Sequence, residues 1–102
     1  MFITRVSKDA NNIRLIDWAI VEADDGRHFV GTDTTDMVGL TRVSTKMSNF
    51  DRKTMTGVTR SGRTYILVDE PAGLIGRNLA LWEDWASLYG VETWKDVTEE
   101  YK

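Results

Sequence analysis

Few side chains in this 102-residue chain are of the types that make and break bonds. His28 is the only histidine and there is no cysteine, so a histidine-activated nucleophile would have to be built on His28. No serine stands in the G-x-S-x-G setting that exposes a nucleophile on a sharp turn. A single histidine next to a turn signal is expected to face solvent along a strand. Carboxylates occur close together as Asp24/Asp25, Asp33/Asp36, Asp69/Glu70 and Glu83/Asp84. The first pair suits a turn and the last the wet side of a helix. Asp33-Thr-Thr-Asp36 offers oxygen ligands to a hard cation, but it lacks the third carboxylate and the glycine of a calcium loop. There is no phosphate-binding G-x-x-x-x-G-K-[ST] run, no dinucleotide fingerprint and no zinc spacing. The expectation is a protein that is not an enzyme and takes neither metal nor cofactor.

Binding chemistry is better represented. Residues 42 to 68 carry Arg42, Lys46, Arg52, Lys53, Arg60 and Arg63 against Asp51 alone, a local charge of +5. Residues 69 to 102 carry three basic and eight acidic groups, a local charge of −5, and the whole chain is at −3. Such asymmetry either marks a contact surface or is neutralised where the two segments meet. The six basic residues are therefore candidate binding residues. Trp94 joins them, because it lies in an acidic tail where an exposed ring would serve a partner, although packing against the domain is the favoured reading even there. Trp18, Trp82 and Trp85 sit among apolar residues and read as core.

These residues need elements to hold them. Ile13 to Ala23, "IRLIDWAIVEA", is rich in β-branched residues and apolar on both alternations, which predicts a strand covered on two faces. Its alternation places Ile16, Trp18 and Ile20 on one face and Ile13, Leu15, Ala19 and Val21 on the other, with Asp17 the exception. Asp25-Gly26 reads as the centre of a tight turn, which would return Arg27 to Gly31 as a second strand with Phe29 on the face of Ile20. Val38 to Met47 reads as a weaker strand, with no positive φ required at Gly39, and Asn49 to Lys53 as a polar connection. In "TGVTRSGRTYILV", Ser61-Gly62 as a two-residue turn sets Arg60 opposite Arg63, Val58 opposite Tyr65 and Thr56 opposite Leu67. From Leu79 to Tyr89 the apolar residues fall in one half of a helical wheel, with Asn78 as N-cap and Gly90 as the C′ residue. Val91, Trp94 and Val97 follow at three-residue spacing, as a helical turn or a strap. The fold expected is α+β: one domain over residues 1–102, an antiparallel β meander of about five or six strands, and one C-terminal amphipathic helix packed on the sheet.

The block from Phe50 to Thr98, "FDRKTMTGVTRSGRTYILV...LWEDWASLYGVETWKDVT", resembles a group of short proteins encoded by bacteriophages, prophages and other mobile elements. Those share an arginine-flanked Ser-Gly hairpin, a tryptophan-bearing helix and a final W-x-D-V-T. The segment "DEPAGLIGRN" departs from the shorter glycine-centred link of that group. The resemblance implies a cytoplasmic protein that inhibits host defence, in the manner of anti-CRISPR proteins, by occluding a host protein or nucleoprotein complex. It assigns no functional residue. The other reading is a small nucleic-acid-binding module that uses the basic segment from Arg42 to Arg63. The N-terminus shows no export signal, and no run of the length needed for a membrane span is present.

Overall fold

The computed structural model describes residues 12–35 and 39–102. Strands β1 (Asn12–Ala23), β2 (Gly26–Asp33) and β3 (Thr41–Val43) are followed by β4 (Met47–Asp51), β5 (Thr56–Thr59) and β6 (Thr64–Leu67). Helix α1 (Gly76–Leu88), strand β7 (Trp94–Asp96) and a 3₁₀ turn (Thr98–Tyr101) complete the chain. The sheet runs β3-β2-β1-β6-β5-β4, and β7 pairs with the second half of β1. This is the α+β domain expected, with its helix on one face of the sheet. The pairing is mixed, however. Two antiparallel meanders, β1-β2-β3 and β4-β5-β6, are joined by a parallel β1–β6 ladder from Asn12↔Thr64 to Leu15↔Leu67. No helix among the described residues is long and apolar enough to cross a membrane.

The edge strands β3 and β4 are consecutive in the chain with only residues 44–46 between them, a link that spans at most about 14 Å. The sheet must therefore curl, and it nearly closes on itself. Its interior holds Ile13, Leu15, Trp18, Ile20, Phe29, Tyr65 and Leu67, with Val97 and Tyr101 from the C-terminal end. The outer face under α1 holds Ala19, Val21, Val30, Leu74, Trp82 and Ala86. The curl brings β5 against β2 so closely that a Cβ on Gly57 would lie 2.3 Å from Cζ of Phe29. Only glycine fits there.

A β-bulge corrects the simple alternation of β1. Ile16 pairs with Thr32 and Ala19 with Val30, so β1 holds one more residue than β2 across this step. Asp17 takes up the extra length at φ 49°. Beyond it the faces exchange, so Ile13 and Leu15 join Trp18 and Ile20 inside, where strict alternation would put them on opposite faces. Gly31 lies across from the bulge. A Cβ there would meet the Ile16 carbonyl oxygen and the Trp18 Cα at 3.1 Å each.

Other expectations shift by small amounts with definite causes. Ala23 pairs with Gly26, so the first turn is Asp24-Asp25, and Ile20 faces Phe29 as anticipated. The third strand shortens to Thr41–Val43, and Gly39 has φ 67°; residues 36–38 lie outside the description. The stretch expected as a polar connection, Asn49 to Lys53, is partly strand: β4 extends through Asp51 and buries Phe50 against the interior. In the β5–β6 hairpin Val58 pairs with Thr64 and Gly57 with Tyr65, one residue from the anticipated register. The loop is Arg60-Ser61-Gly62, closed by the Thr59 N–H to the Arg63 carbonyl at 2.9 Å, with Gly62 at φ 88°. That slip puts exposed Val58 opposite Thr64 and leaves Gly57, not Val58, across from buried Tyr65.

Helix α1 begins at Gly76, and the preceding Ile75 offers no side-chain cap. Asn78 is inside the helix, where its amide donates to the carbonyls of Asp17 (2.7 Å) and Gly73 (3.0 Å). Gly90 ends the helix as expected, with the Val91 N–H returning to the Ala86 carbonyl at 2.8 Å. Trp82 is fully buried and Trp85 half-buried. Trp82→Ala should therefore cost about 3 to 5 kcal/mol in thermal or denaturant melts, and Trp85→Ala clearly less; a loss below about 1 kcal/mol at Trp82 would mean that the helix docks through another face. Gly57→Ala should cost about 1 to 3 kcal/mol through overpacking. Combining it with Phe29→Leu should cost less than the two changes added, because the shorter side chain vacates the contested space.

Candidate functional site

The six basic candidates do not form one surface. Arg42 on β3 pairs with Asp33 at 3.0 Å and lies over the Tyr65 ring at 5.9 Å, closing part of the interior. The stem of Lys46 runs across Gly26, where an added Cβ would lie 2.7 Å from its Cδ. Arg52 donates to the Glu100 carbonyl at 2.6 Å and covers the Tyr101 ring at 5.5 Å. These three are parts of the fold. Lys53 stands exposed in the β4–β5 turn, at the opposite end of β5 from the Arg60 loop. Only Arg60, exposed, and Arg63, half-buried, remain near each other, and they are not direct cross-strand partners. Burial pushes the Tyr65 phenol up, against the opposing pull of the Arg42 and Arg63 guanidiniums.

His28 is not the solvent-facing residue expected from its place beside a turn. It is 1% exposed, packed at 4.9 Å from the Trp85 ring and 5.5 Å from the Trp82 ring. Its Nδ1 lies 2.9 Å from the Ser44 carbonyl oxygen and its Nε2 2.9 Å from the Asp25 carboxylate. The Ser44 hydroxyl accepts from the Phe29 N–H at 2.8 Å. Both ring nitrogens are thereby occupied, and the ring links the first turn to the helix. The helix continues the aromatic run, with Trp82 on Trp94 at 6.1 Å, Trp82 on Trp85 at 5.3 Å and Trp85 on Tyr89 at 4.6 Å. Trp94 is half-buried in β7 at the inner end of that run.

The run ends at Tyr89 (63% exposed), the residue that follows the helix, beside Leu88 (75%), its last residue. Carboxylates surround it. Asp24 receives the Glu92 N–H at 3.2 Å and the Thr93 hydroxyl, and Asp25 binds His28. The Thr93 hydroxyl and then the Glu92 N–H hold the Asp24 carboxyl below its ordinary range. A surface cavity of about 230 Å³ opens beside them, lined by Glu22, Ala23, Asp24, Thr93, Trp94 and Lys95. Glu22 is committed to Arg27 at 2.8 Å and stands 4.0 Å from Lys95. This is the strongest candidate for a functional surface, and of the sequence candidates only Trp94 belongs to it. The signal that could have found the rest was faint: two apolar residues, Leu88 and Tyr89, at the very end of a helix whose wheel had assigned both to the core.

A larger groove of about 350 Å³ lies between the interior and the segment after β6, bordered by Trp18, Met55, Asp69, Pro71, Tyr101 and Lys102. Its walls are fixed internally. The Trp18 indole donates to the Asp69 carbonyl at 3.1 Å. Arg27 donates to the Tyr101 hydroxyl at 2.8 Å and to Glu100 at 2.9 Å, contacts that raise its guanidinium above its ordinary range. The groove follows from docking the C-terminal turn. No cluster of three or more metal-ligating side chains occurs among the described residues. Of Asp33 and Asp36, Asp33 binds Arg42, and Asp36 lies outside the described residues. Set against protein-family models, curated proteins and solved structures, the chain matches none.

Asp96 ties this end together by accepting from the Leu74 N–H at 3.0 Å, the Thr98 N–H at 2.9 Å and the Thr98 hydroxyl. Burial alone would raise its carboxyl, but the Thr98 hydroxyl and N–H, followed by the Leu74 N–H, bring it below the ordinary value. Asp33 is lowered likewise, by Thr35 and Arg42 against burial. An unfolded aspartate titrates near 3.9, so below about pH 5 the unfolded chain binds more protons than the native one. The stabilisation is complete above that range and drains as pH falls through the lowered native values. Asp96→Asn should lower the melting temperature by a few degrees at pH 7 and flatten its decline between about pH 5 and 2. An acid limb parallel to that of the parent protein would show that Asp96 contributes nothing to it.

Proposed function

We propose that this protein is a non-enzymatic binding protein that acts on a protein partner, in the role its resemblance to phage and mobile-element proteins implies: an accessory factor that occludes a host protein complex. The observation that carries this reading is the disposition of the basic segment. A module that tracks a phosphate backbone needs its cations free and aligned. Here Arg42 and Arg52 are spent on internal contacts, Lys46 lies along Gly26, and Lys53 is separated from the Arg60–Arg63 tip by the length of a strand. No aromatic ring stacks beside Arg60 or Arg63 among the described contacts, so the tip lacks the platform that single strands use. Both nitrogens of the buried histidine are taken up by a carbonyl and a carboxylate, and the nearby Ser44 hydroxyl is engaged with the Phe29 N–H and the Thr45 carbonyl, which favours binding over catalysis.

Fluorescence anisotropy with mixed-sequence DNA and RNA oligonucleotides at about 150 mM salt tests the reading, since screening at that ionic strength leaves only close contacts. The expected result is no binding up to about 100 μM, the weak end of the range of about 1 to 100 μM in which sequence-independent DNA binders bind. Sub-micromolar binding that collapses in the Arg60→Ala/Arg63→Ala double variant would overturn it and make the hairpin tip a phosphate grip.

A further inference from the structure

We infer that the contact surface for a protein partner is the acidic, aromatic face around the C-terminal end of α1, and that the partner presents a basic segment carrying apolar side chains. The inference rests on the protein-partner reading above and names the surface and the chemistry it would use.

Apolar area comes first. Leu88 and Tyr89 are adjacent, 75% and 63% exposed, and Tyr89 is braced at 4.6 Å by Trp85, which is in turn packed on buried His28 and Trp82. An exposed aromatic backed by a rigid stack loses little freedom on binding, which is the property of an interface anchor. A small cavity of about 230 Å³ with Trp94 in its wall lies in the same region, joined to Tyr89 through the Trp82–Trp85 stack.

Charge then selects the occupant. Asp84 is one helical turn before Leu88 and projects beside it. Asp24, in the cavity wall, accepts from the backbone N–H of exposed Glu92, and Asp25 is held by His28 next to Trp85. Among the described residues none of Asp24, Asp25, Asp84 or Glu92 forms an ion pair with a lysine or arginine. Among the described residues the bordering cations are Arg27 and Lys95, at 2.8 and 4.0 Å from Glu22, and Lys46, whose stem crosses Gly26. Among the described residues the charge left unpaired on this face, on Asp24, Asp84 and Glu92, is negative, while Asp25 is paired with His28. An acidic partner is excluded by repulsion; a basic segment is drawn in, with an arginine or lysine at the cavity rim and an apolar side chain against Leu88 and Tyr89.

A fluorescein-labelled, blocked hexapeptide of alternating leucine and arginine serves as the probe, with a leucine–glutamate peptide as control. The leucine–arginine peptide should bind measurably, and in ¹H–¹⁵N spectra it should shift the Trp94 indole N–H and the amides of residues 22–25 and 88–95. Leu88→Ser with Tyr89→Ser should weaken binding about tenfold, the scale of one lost interface anchor. Asp24→Asn with Glu92→Gln should weaken it about threefold and reduce its salt dependence. The exposed double serine variant should melt like the parent, and asparagine keeps an oxygen for Thr93, so lost binding in either is not lost folding. Equal binding of both peptides, shifts mapping elsewhere, or unchanged affinity in both variants would overturn the proposal. Shifts that map elsewhere overturn this face and leave the protein-partner reading standing. Oligonucleotide binding at the Arg60–Arg63 tip overturns that reading whatever the peptide does.

Discussion

The architecture turns on one extra residue in β1. A strand buried on both faces has no free register, and inserting Asp17 between Ile16 and Trp18 exchanges the faces of everything beyond it. The bulge also turns two backbone carbonyls out of the ladder toward partners elsewhere. The Asp17 carbonyl accepts from Asn78 at 2.7 Å; the Trp18 carbonyl accepts from the N–H groups of Ala72 (3.0 Å) and Gly73 (3.2 Å). The irregular segment between β6 and α1 is thereby tied to the middle of the sheet, and the start of the helix with it. Gly31, opposite, is the companion requirement, because a side chain there would collide with the bulge itself.

The same strand organises the other end of the chain. The Ile20 N–H donates to the Thr98 hydroxyl at 3.0 Å and its carbonyl accepts from the Val97 N–H at 2.9 Å, which sets Val97 and Tyr101 into the interior. Arg27 and Arg52 then cover the Tyr101 ring at 5.5 Å each. Half of what looks in the sequence like a basic binding segment is thus structural. Guanidinium stems lie along apolar surface and their heads satisfy carbonyls and carboxylates at the rim of the core. The charge asymmetry along the chain is resolved inside the domain in part: Arg52 reaches the acidic C-terminal turn and Arg42 reaches Asp33.

What is left over is displaced toward two places, a small positive hairpin tip and a negative aromatic face at the far end of α1. The second has the more developed construction. Two of its carboxylates, Asp24 and Asp25, are oriented by hydrogen bonds, its outermost ring rests on a stack that reaches the core, and a buried histidine ties the helix to the first turn. A surface built this way keeps its shape before a partner arrives, and that is the condition under which a few exposed side chains can carry affinity.

Composition and periodicity determined a good deal: an α+β chain, a doubly covered first strand, a hairpin at Arg60–Arg63, a late helix ending at Gly90, and burial of Trp18 and Trp82. Each depends on neighbours within a few residues, where side-chain alternation and turn chemistry act. The parallel β1–β6 pairing, the bulge at Asp17 and the one-residue shift of the second hairpin were decided by the tertiary structure. They depend on contacts between residues some fifty positions apart, and on clashes such as Gly57 against Phe29, that no local pattern encodes. The candidate surface divides the same way. Trp94 could be singled out as an aromatic in an acidic tail, but His28 changed from a wet strand residue to a buried link because the helix folds over it. Arg42, Lys46 and Arg52 were absorbed because the curled sheet brought an acceptor, a glycine or an aromatic ring to each. Side-chain type states what a residue can bind; only the closure of the chain decides whether that capacity is used within the fold or offered outside it.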